Sequence, residues 1–468
     1  MKLKLFLFVL LTPAFIFPQI TVNESLDKLL SEPFFDTTII AVDIFNLTKG
    51  ESVFRKNNSL LMRPASNMKV ITTATALLYL GSDYKFSTGL YYEGKIENSE
   101  LNGNLFIKGA CDPDFTSEDL NGFAEVIKNS GIKEINGNLY ADVSFKDSLF
   151  WGSGWMWDDD PSTDAPYLSA LNINDNCITI IIEIDESGEV QIISEPKTNY
   201  IKISNYLKIS NEAKRNITIT RDFLNRTNEI LIKGEYQRGK KRKITTTLNI
   251  FNPTFYFLTL LKEKLTSEGI AFRGKLDTLS LTDNVVSIFN LDREFGEVLV
   301  NLNKTSDNLS AEMTLLALGY KYFKEPATAG NGLRMVDSLI VKCGFIPKNY
   351  RMEDGSGVSH YTLVSAELLL GILKYFYYSQ PELQIILENS FPNAGVDGSL
   401  KSRMRGTLAE NNLRAKTGTL SGVSCLSGYV TGQSGDKYAF SIMIQNHVAK
   451  SSRAVDYQNK VCEILANY

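Results

Sequence analysis

The sequence predicts an α/β (α+β) protein in which one domain, made from both ends of the chain, is interrupted by β-rich inserted material. Three observations lead there. Helical texture near residues 67–80 returns with Phe295; the stretch between about 84 and 292 is short alternating strands and polar turns interrupted by one helix; and two strands and a helix close the chain. At 468 residues the chain exceeds one compact core and should hold two or three domains. The expected boundaries are a leader at 1–19, a discontinuous domain at 20–85 plus 292–468, and inserted β-rich domains at 86–291.

Taken in order, Lys2 and Lys4 precede an apolar run from Leu5 to Phe17, followed by Pro18-Gln19. A basic start with a short apolar run reads as a secretory signal, because it is too short to span a bilayer. The expectation is an exported chain, soluble or loosely attached to a membrane. Thr38 to Val42 and Ser52 to Phe54 flank Asn46-Leu47-Thr48-Lys49-Gly50, a hairpin pattern. Arg63-Pro64-Ala65-Ser66 then opens a helix from Asn67 to Leu80, with proline at its entrance and Gly81 beyond its end.

Within the β-rich stretch, Ile178 to Ile184 and Val190 to Ile193 bracket Asp185-Glu186-Ser187-Gly188 as a hairpin. Asn216 to Thr220, Glu229 to Lys233 and Lys243 to Leu248 have the same strand character. The basic run Arg238-Gly239-Lys240-Lys241-Arg242-Lys243 reads as a solvated hairpin turn. A single helix, Pro253 to Glu268, is expected inside this stretch. Helices then follow at Phe295 to Asn303, Leu309 to Leu318 and Ala366 to Tyr377. Strands at Gly422 to Thr431 and Lys437 to Gln445 precede a closing helix from about Ala454 to Ala466.

Composition excludes several chemistries. A formal net charge of −4 gives no electrostatic case for nucleic acid or an anionic membrane. Five scattered cysteines, without a C-x-x-C pair, form no disulfide framework. Only His360 and His447 are available, so a clustered His/Cys metal site is not expected, and neither sits in a triad-like motif. A hydrolase built from this chain needs a base other than histidine. Nothing in the sequence speaks to oligomeric state.

Three short motifs supply one. Ser66-Asn67-Met68-Lys69 is S-x-x-K, Ser306-Asp307-Asn308 is S-D-N, and Lys416-Thr417-Gly418 is K-T-G. S-x-x-K also occurs at Ser25/Lys28, Ser130/Lys133 and Ser194/Lys197, but only Ser66 opens a strong helix, whose free N–H groups favour developing negative charge. Positions i and i+3 share a helix face, so the Lys69 amine can approach the Ser66 hydroxyl. A hydroxyl attacks only when something takes its proton, and lysine does so when burial and neighbouring cations depress its pKa. Lys416 would supply the positive field, Ser306 would relay a proton to the leaving group, and Asn308 would orient Lys69 and the substrate amide. Leu413 to Leu420 reads as an edge strand able to pair with an extended peptide, with Gly418 permitting close approach. Lys416 and Thr417 would hold a terminal carboxylate, and the N–H groups of Ser66 and Thr419 an oxyanion. Alone, S-D-N is commonly a helix cap and K-T-G a strand end; the ordered trio is what points to catalysis.

With these residues in hand, the chain resembles the low-molecular-mass class C penicillin-binding proteins of the D-Ala-D-Ala carboxypeptidase/endopeptidase family. Asp354-Gly355-Ser356-Gly357 matches a family signature between S-D-N and K-T-G. Ala394-Gly395-Val396-Asp397-Gly398-Ser399-Leu400, then Arg403, is similar to its glycine-rich segment. Gly154-Trp155-Met156-Trp157-Asp158-Asp159, with Ser169-Ala170-Leu171 and Asn174-Asp175-Asn176, resembles its inserted domains. The resemblance implies a serine β-lactamase/transpeptidase-like fold, action on D-Ala-D-Ala ends or cross-links of peptidoglycan stem peptides, acylation by β-lactams, and no cofactor or metal. It implies further that Asp158 or Asp159 faces the substrate's free amine. Relatives commonly carry arginine where this chain has His360, a weaker and pH-dependent cation. The alternatives are a β-lactamase or esterase on the same scaffold, or a non-catalytic cell-wall binding protein.

Overall fold

The computed structural model describes residues 21–468 except 213, 214 and 325, so the expected leader lies outside the described residues. The first helix, α1 (Val22–Leu29), is held by a reciprocal cap between Thr21 and Glu24. Strands β1 (Ile39–Asn46) and β2 (Glu51–Lys56) form the expected hairpin. A single 3-10 turn, Ala65–Asn67, leads into α2 (Met68–Tyr79).

The inserted stretch contains β3 (Lys85–Glu97), β4 (Glu100–Gly109), α3 (Leu120–Asn129), β5 (Glu134–Ile135), β6 (Leu139–Asp142), β7 (Cys177–Ile184) and β8 (Val190–Glu195). It continues with β9 (Lys202–Ser210), β10 (Arg215–Arg221), β11 (Glu229–Gln237) and β12 (Arg242–Asn249). Then come α4 (Pro253–Ser267), β13 (Ala271–Phe272), β14 (Leu276–Thr278) and β15 (Val286–Glu294). The remainder is α5 (Phe295–Lys304), α6 (Asn308–Phe323), α7 (Ala329–Lys342), α8 (Ala366–Ser379) and α9 (Pro381–Ser390). It ends with β16 (Arg414–Leu420), β17 (Val423–Thr431), β18 (Lys437–Gln445) and α10 (Ser451–Ala466).

Both chain ends build one antiparallel sheet, ordered β16-β17-β18-β1-β2. Strand β1 shows why it carries helices on both faces. Its residues 40–46 are all buried, so the alternation of side chains buries two opposite faces. Ala41 and Phe45 join a core with α2, α5, α6, α7, α8 and α9, whereas Ile40, Val42 and Ile44 join one with α1 and α10. The result is helix, sheet and helix in three layers. Burying each large aliphatic side chain contributes about 1.5–3 kcal/mol, so α2, with Val70, Ile71 and Leu77 almost wholly enclosed, is firmly seated.

The insert leaves and rejoins this domain at one place, because β15 pairs with β3 and Glu294 stands opposite Lys85. Sheet β13-β5-β4-β3-β15, with β6 and β14 beside it, packs on α3 and α4 around a separate apolar core. Two three-stranded sheets, β12-β7-β8 and β10-β11-β9, complete it. The basic run at 238–243 is therefore not a hairpin turn: β11 and β12 lie in different sheets, and the run carries the chain between them. Within its own sheet β11 pairs in parallel with β9, a long-range pairing that no local pattern announces. The stretch also holds two helices, α3 and α4, rather than one. All five cysteines are free. Among the described residues no helix is long and apolar enough to cross a membrane.

Candidate active site

The site is built around the turn that precedes α2. Ala65 has φ +46°, a left-handed conformation uncommon for alanine, and this bends the chain so that Ser66 sits in the 3-10 turn and α2 begins at Met68. Two glycines clamp the bend. A Cβ at Gly357 (φ +85°) would fall 1.9 Å from the Ala65 carbonyl oxygen. One at Gly418 would fall 2.7 Å from the Pro64 oxygen and 3.0 Å from the Ser66 nitrogen. Only chain without side chains fits there, which is why the D-G-S-G loop and K-T-G strand carry glycine at these positions. Asn67 adds a tie to the sheet through Nδ2, which donates to Ser427 Oγ at 2.7 Å.

Lys69 lies one turn on, completely buried. Its Nζ donates to Ser66 Oγ at 2.9 Å, Asn308 Oδ1 at 2.5 Å and the Ser356 carbonyl at 2.9 Å. Burial lowers its pKa to about 8, opposed by the surrounding charges of Asp307, Asp354, Glu312 and Asp164. The D-G-S-G loop owes its shape to two buried carboxylates. Glu312, on α6, accepts the N–H groups of Gly355 and Ser356. Asp354 accepts those of Gly357 and Ser359 and the Trp155 indole N–H. Together they aim the Ser356 carbonyl at Lys69. Burial, with Asp354 beside it, pushes the Glu312 carboxyl up to about 7.

S-D-N is both cap and site. Asp307 caps α6 by accepting the Ser310 N–H, as the helix-cap reading requires. Its neighbours face the other way: Ser306, at φ +66°, accepts from Lys416 Nζ at 2.8 Å, and Asn308 holds Lys69. Asn308 Nδ2 also donates to the Asp164 carbonyl of the insert. Lys416 is completely buried, and burial with the nearby Lys69 charge depresses its pKa strongly. Its other acceptor is the Thr417 carbonyl at 3.0 Å.

β16 is an edge of the sheet, as the sequence predicts. The Ala415 N–H already bonds outward to the Pro392 carbonyl. Alternation directs the N–H groups of residues 417 and 419 to the same open edge. Thr417 Oγ1 meets Ser399 Oγ at 2.7 Å, and Thr419 is exposed. Gly398 lets the glycine-rich segment approach the Lys304 carbonyl, and Lys304 binds Asp397 at 2.7 Å. Arg403, in contrast, is tied to α10 through Asn459 and Gln458.

The insert forms one rim. A Cβ at Gly154 would collide with Ser359 and Tyr361, so the 152–159 loop lies directly on the turn after D-G-S-G. His360 N donates to the Gly154 carbonyl at 3.2 Å. Asp159 is half-buried and accepts the Met156 N–H, while Asp158 is exposed. Burial raises the Asp159 pKa, and His360 pulls it back.

Ser66, Lys69, Ser306, Asn308 and Lys416 thus converge, with Thr417 and Gly418 beside them and Asp159 and His360 at the rim. Sequence reasoning missed Glu312, the Asp164 and Ser356 carbonyls, Ser399 and Ser427. Three of these carried a signal: Ser356 and Ser399 lie inside quoted family motifs without having been given a role, and Glu312 stands four residues after Asn308, on the same face of a helix.

A serine and a buried lysine on a helix, a second lysine on an edge strand and an S-D-N turn between them define the penicillin-interacting class of serine acyl-transfer folds. More narrowly, the chain belongs to the D-Ala-D-Ala carboxypeptidase 3 (S13) family, whose model matches residues 22–468. It is 30% identical over 407 residues to the D-alanyl-D-alanine carboxypeptidase DacB of Haemophilus influenzae, covering 86% of this chain and 84% of the relative. It is likewise 30% identical over 465 residues to a D-alanyl-D-alanine carboxypeptidase of an Actinomadura species, covering 95% and 84%. Among solved structures, penicillin binding protein 4 (dacB) of Haemophilus influenzae superposes with a TM-score of 0.82 at 28% identity, over 95% of this chain and 99% of that one. That protein has also been solved in complex with a β-lactam.

Proposed function

We propose that this protein is a serine-type D-Ala-D-Ala carboxypeptidase, with endopeptidase action on D-Ala cross-links, that works on peptidoglycan stem peptides through an acyl-enzyme on Ser66. The observation that carries the reading is the Lys69 amine, 2.9 Å from Ser66 Oγ, buried, without a carboxylate within ion-pair distance among the described residues, and lowered to about 8. An amine in that state is a free base for a useful fraction of molecules near neutral pH. Ser66 Oγ attacks the carbonyl carbon of the penultimate D-Ala while its proton passes to Lys69 Nζ. The N–H groups of Ser66 and Thr419 receive the oxyanion. As the C–N bond breaks, Ser306 hands its proton to the leaving amine and takes one from Lys416 Nζ, which donates to it. Water then attacks the ester, its proton returning to Lys416 while Lys69 gives back to Ser66 Oγ the proton it took. Lys416 and Thr417 hold the substrate's terminal carboxylate, and the free edge of β16 pairs with the peptide backbone.

The family and the curated relatives favour this reading over a β-lactamase, an esterase or a binding protein. β-Lactams, which place a strained amide where the peptide amide lies, acylate the same serine. No metal or organic cofactor enters any step. We take residues 20–85 with 292–468 as the catalytic domain and 86–291 as the accessory one that roofs it. The basic, then apolar, N-terminus supports export to the periplasm or cell envelope.

The test is release of free D-alanine from an acyl-D-Ala-D-Ala peptide. Wild type releases one equivalent per peptide and Ser66→Ala releases none. Equal release by both proteins refutes the assignment of Ser66.

A further inference from the structure

Helix α6 reaches Lys69 by two routes from one face. Asn308, in its first turn, accepts a hydrogen bond from Lys69 Nζ at 2.5 Å. Glu312 stands four residues on, a buried carboxylate that none of the motifs includes. Its Oε1 accepts the N–H of Gly355 at 3.0 Å and that of Ser356 at 2.8 Å, and its Oε2 lies 3.2 Å from the Gly355 nitrogen. The carbonyl of that same Ser356 accepts from Lys69 Nζ at 2.9 Å. Two of the three acceptors around Lys69 are thus set from α6, one directly and one through the D-G-S-G backbone.

A carboxylate suits this place and an amide does not. The loop presents N–H groups to Glu312, and an ionised carboxyl accepts on both oxygens, whereas glutamine would turn a donor toward donors. N–H bonds to a charged oxygen are also the stronger ones. Glu312 has no ion pair among the described residues, so its charge acts on Lys69 across the loop. The other charges facing that amine are Asp307 before α6, Asp354 on the loop, Asp164 of the insert and, with opposite effect, Lys416 on β16. Glu312 itself faces Asp354, which opposes its ionisation, and the Gly355 and Ser356 N–H groups, which favour it.

We propose that Glu312 is a positioning residue for the proton acceptor: through the Ser356 carbonyl it holds Lys69 Nζ within reach of Ser66 Oγ, and through its negative charge it keeps that amine basic enough to take the serine's proton. The inference rests on the acyl-enzyme reading above. A carboxylate stabilises an ammonium over the free amine, so losing it makes Lys69 less basic and moves its titration to lower pH.

The test follows acylation by excess chromogenic cephalosporin in a stopped-flow instrument from pH 6 to 10, for the wild type, Glu312→Gln and Glu312→Asp. First-order rate constants do not depend on how much of each variant is folded. Glu312→Gln lowers the plateau about tenfold through misplacement of the amine and moves the midpoint of the profile about one pH unit lower. Glu312→Asp, with the charge kept on a shorter stem, returns the midpoint to the wild-type value while its plateau stays reduced. A side chain that only stabilised the fold would leave the midpoint unmoved. The proposal alone is overturned if Ser66 of the wild type is acylated but the Glu312→Gln midpoint stays or rises, or if Glu312→Asp keeps the wild-type plateau. A wild type that forms no acyl-enzyme on Ser66 overturns the acyl-enzyme reading and this proposal together.

Discussion

The molecule buries cations in two regions, and it treats them in opposite ways. In the insert, Arg221 is fully enclosed and fully answered. Its guanidinium pairs with Asp160 and donates to the Thr227 carbonyl at 2.9 Å and to both oxygens of Asn249. Asp160 in turn accepts from the Tyr167 hydroxyl at 2.8 Å. At the candidate active site, Lys69 and Lys416 are just as enclosed but rest on hydroxyls, carbonyls and an amide, without an ion pair to a carboxylate among the described residues. The first arrangement ties β10, β12 and the 160–167 loop together. The second keeps two amines poorly compensated, and so easily stripped of a proton. A buried cation with its charge matched is structural; one left unmatched against a serine is available for chemistry.

The largest effect expected from breaking this contrast is on rate. Lys69→Met removes the proposed proton acceptor and should slow acylation of Ser66 by roughly 10²–10⁴-fold, with no fall in the unfolding midpoint, since an apolar side chain replaces an uncompensated amine. Stopped-flow acylation and denaturant melts read both quantities. Arg221→Met should do the reverse. Leaving Asp160 buried and unpaired should cost about 3–5 kcal/mol, seen as an early unfolding transition, while the folded protein keeps its acylation rate within a few-fold.

The contrast sharpens with pH. As the proposed base, Lys69 would act only as the free amine, and burial lowers its pKa to about 8. The acylation rate constant should therefore rise by nearly tenfold per pH unit below 8 and level off above about 9. A profile flat from pH 6 to 9 would mean that Lys69 is not the group losing its proton. The smallest effect is expected at Gly418. Alanine there places a methyl 2.7 Å from the Pro64 oxygen and 2.9 Å from the Asn67 nitrogen, and overpacking of that kind costs ~1–3 kcal/mol. Acylation should fall about tenfold, with thermal stability changed by only a few degrees.

Much of the composite domain was legible because its signals are local. The helix at Ser66 has a proline entrance and a glycine exit, and β17 and β18 are largely apolar segments on either side of the turn Gly432-Gln433-Ser434-Gly435. The three motifs were legible for the same reason, each sitting at the end of one element. What escaped was set by packing between distant segments. Helix α7 was hidden by Gly330 and Gly332 in its first turn; Gly332 is there because a Cβ would strike the Leu315 carbonyl on α6. The basic run at 238–243 was misread because β11 finds its partners in β9 and β10, not β12. At the site, Glu312 and Asp354 act through the backbone of a loop, and a sequence does not display which carbonyl they aim.

The most direct test of the central claim is intact-mass spectrometry of the protein after incubation with benzylpenicillin, beside Ser66→Ala. The account predicts one penicilloyl group per chain, mapped to Ser66 and absent from the variant. An adduct on another residue, or wild-type protein that stays unmodified while the drug remains intact, would contradict it.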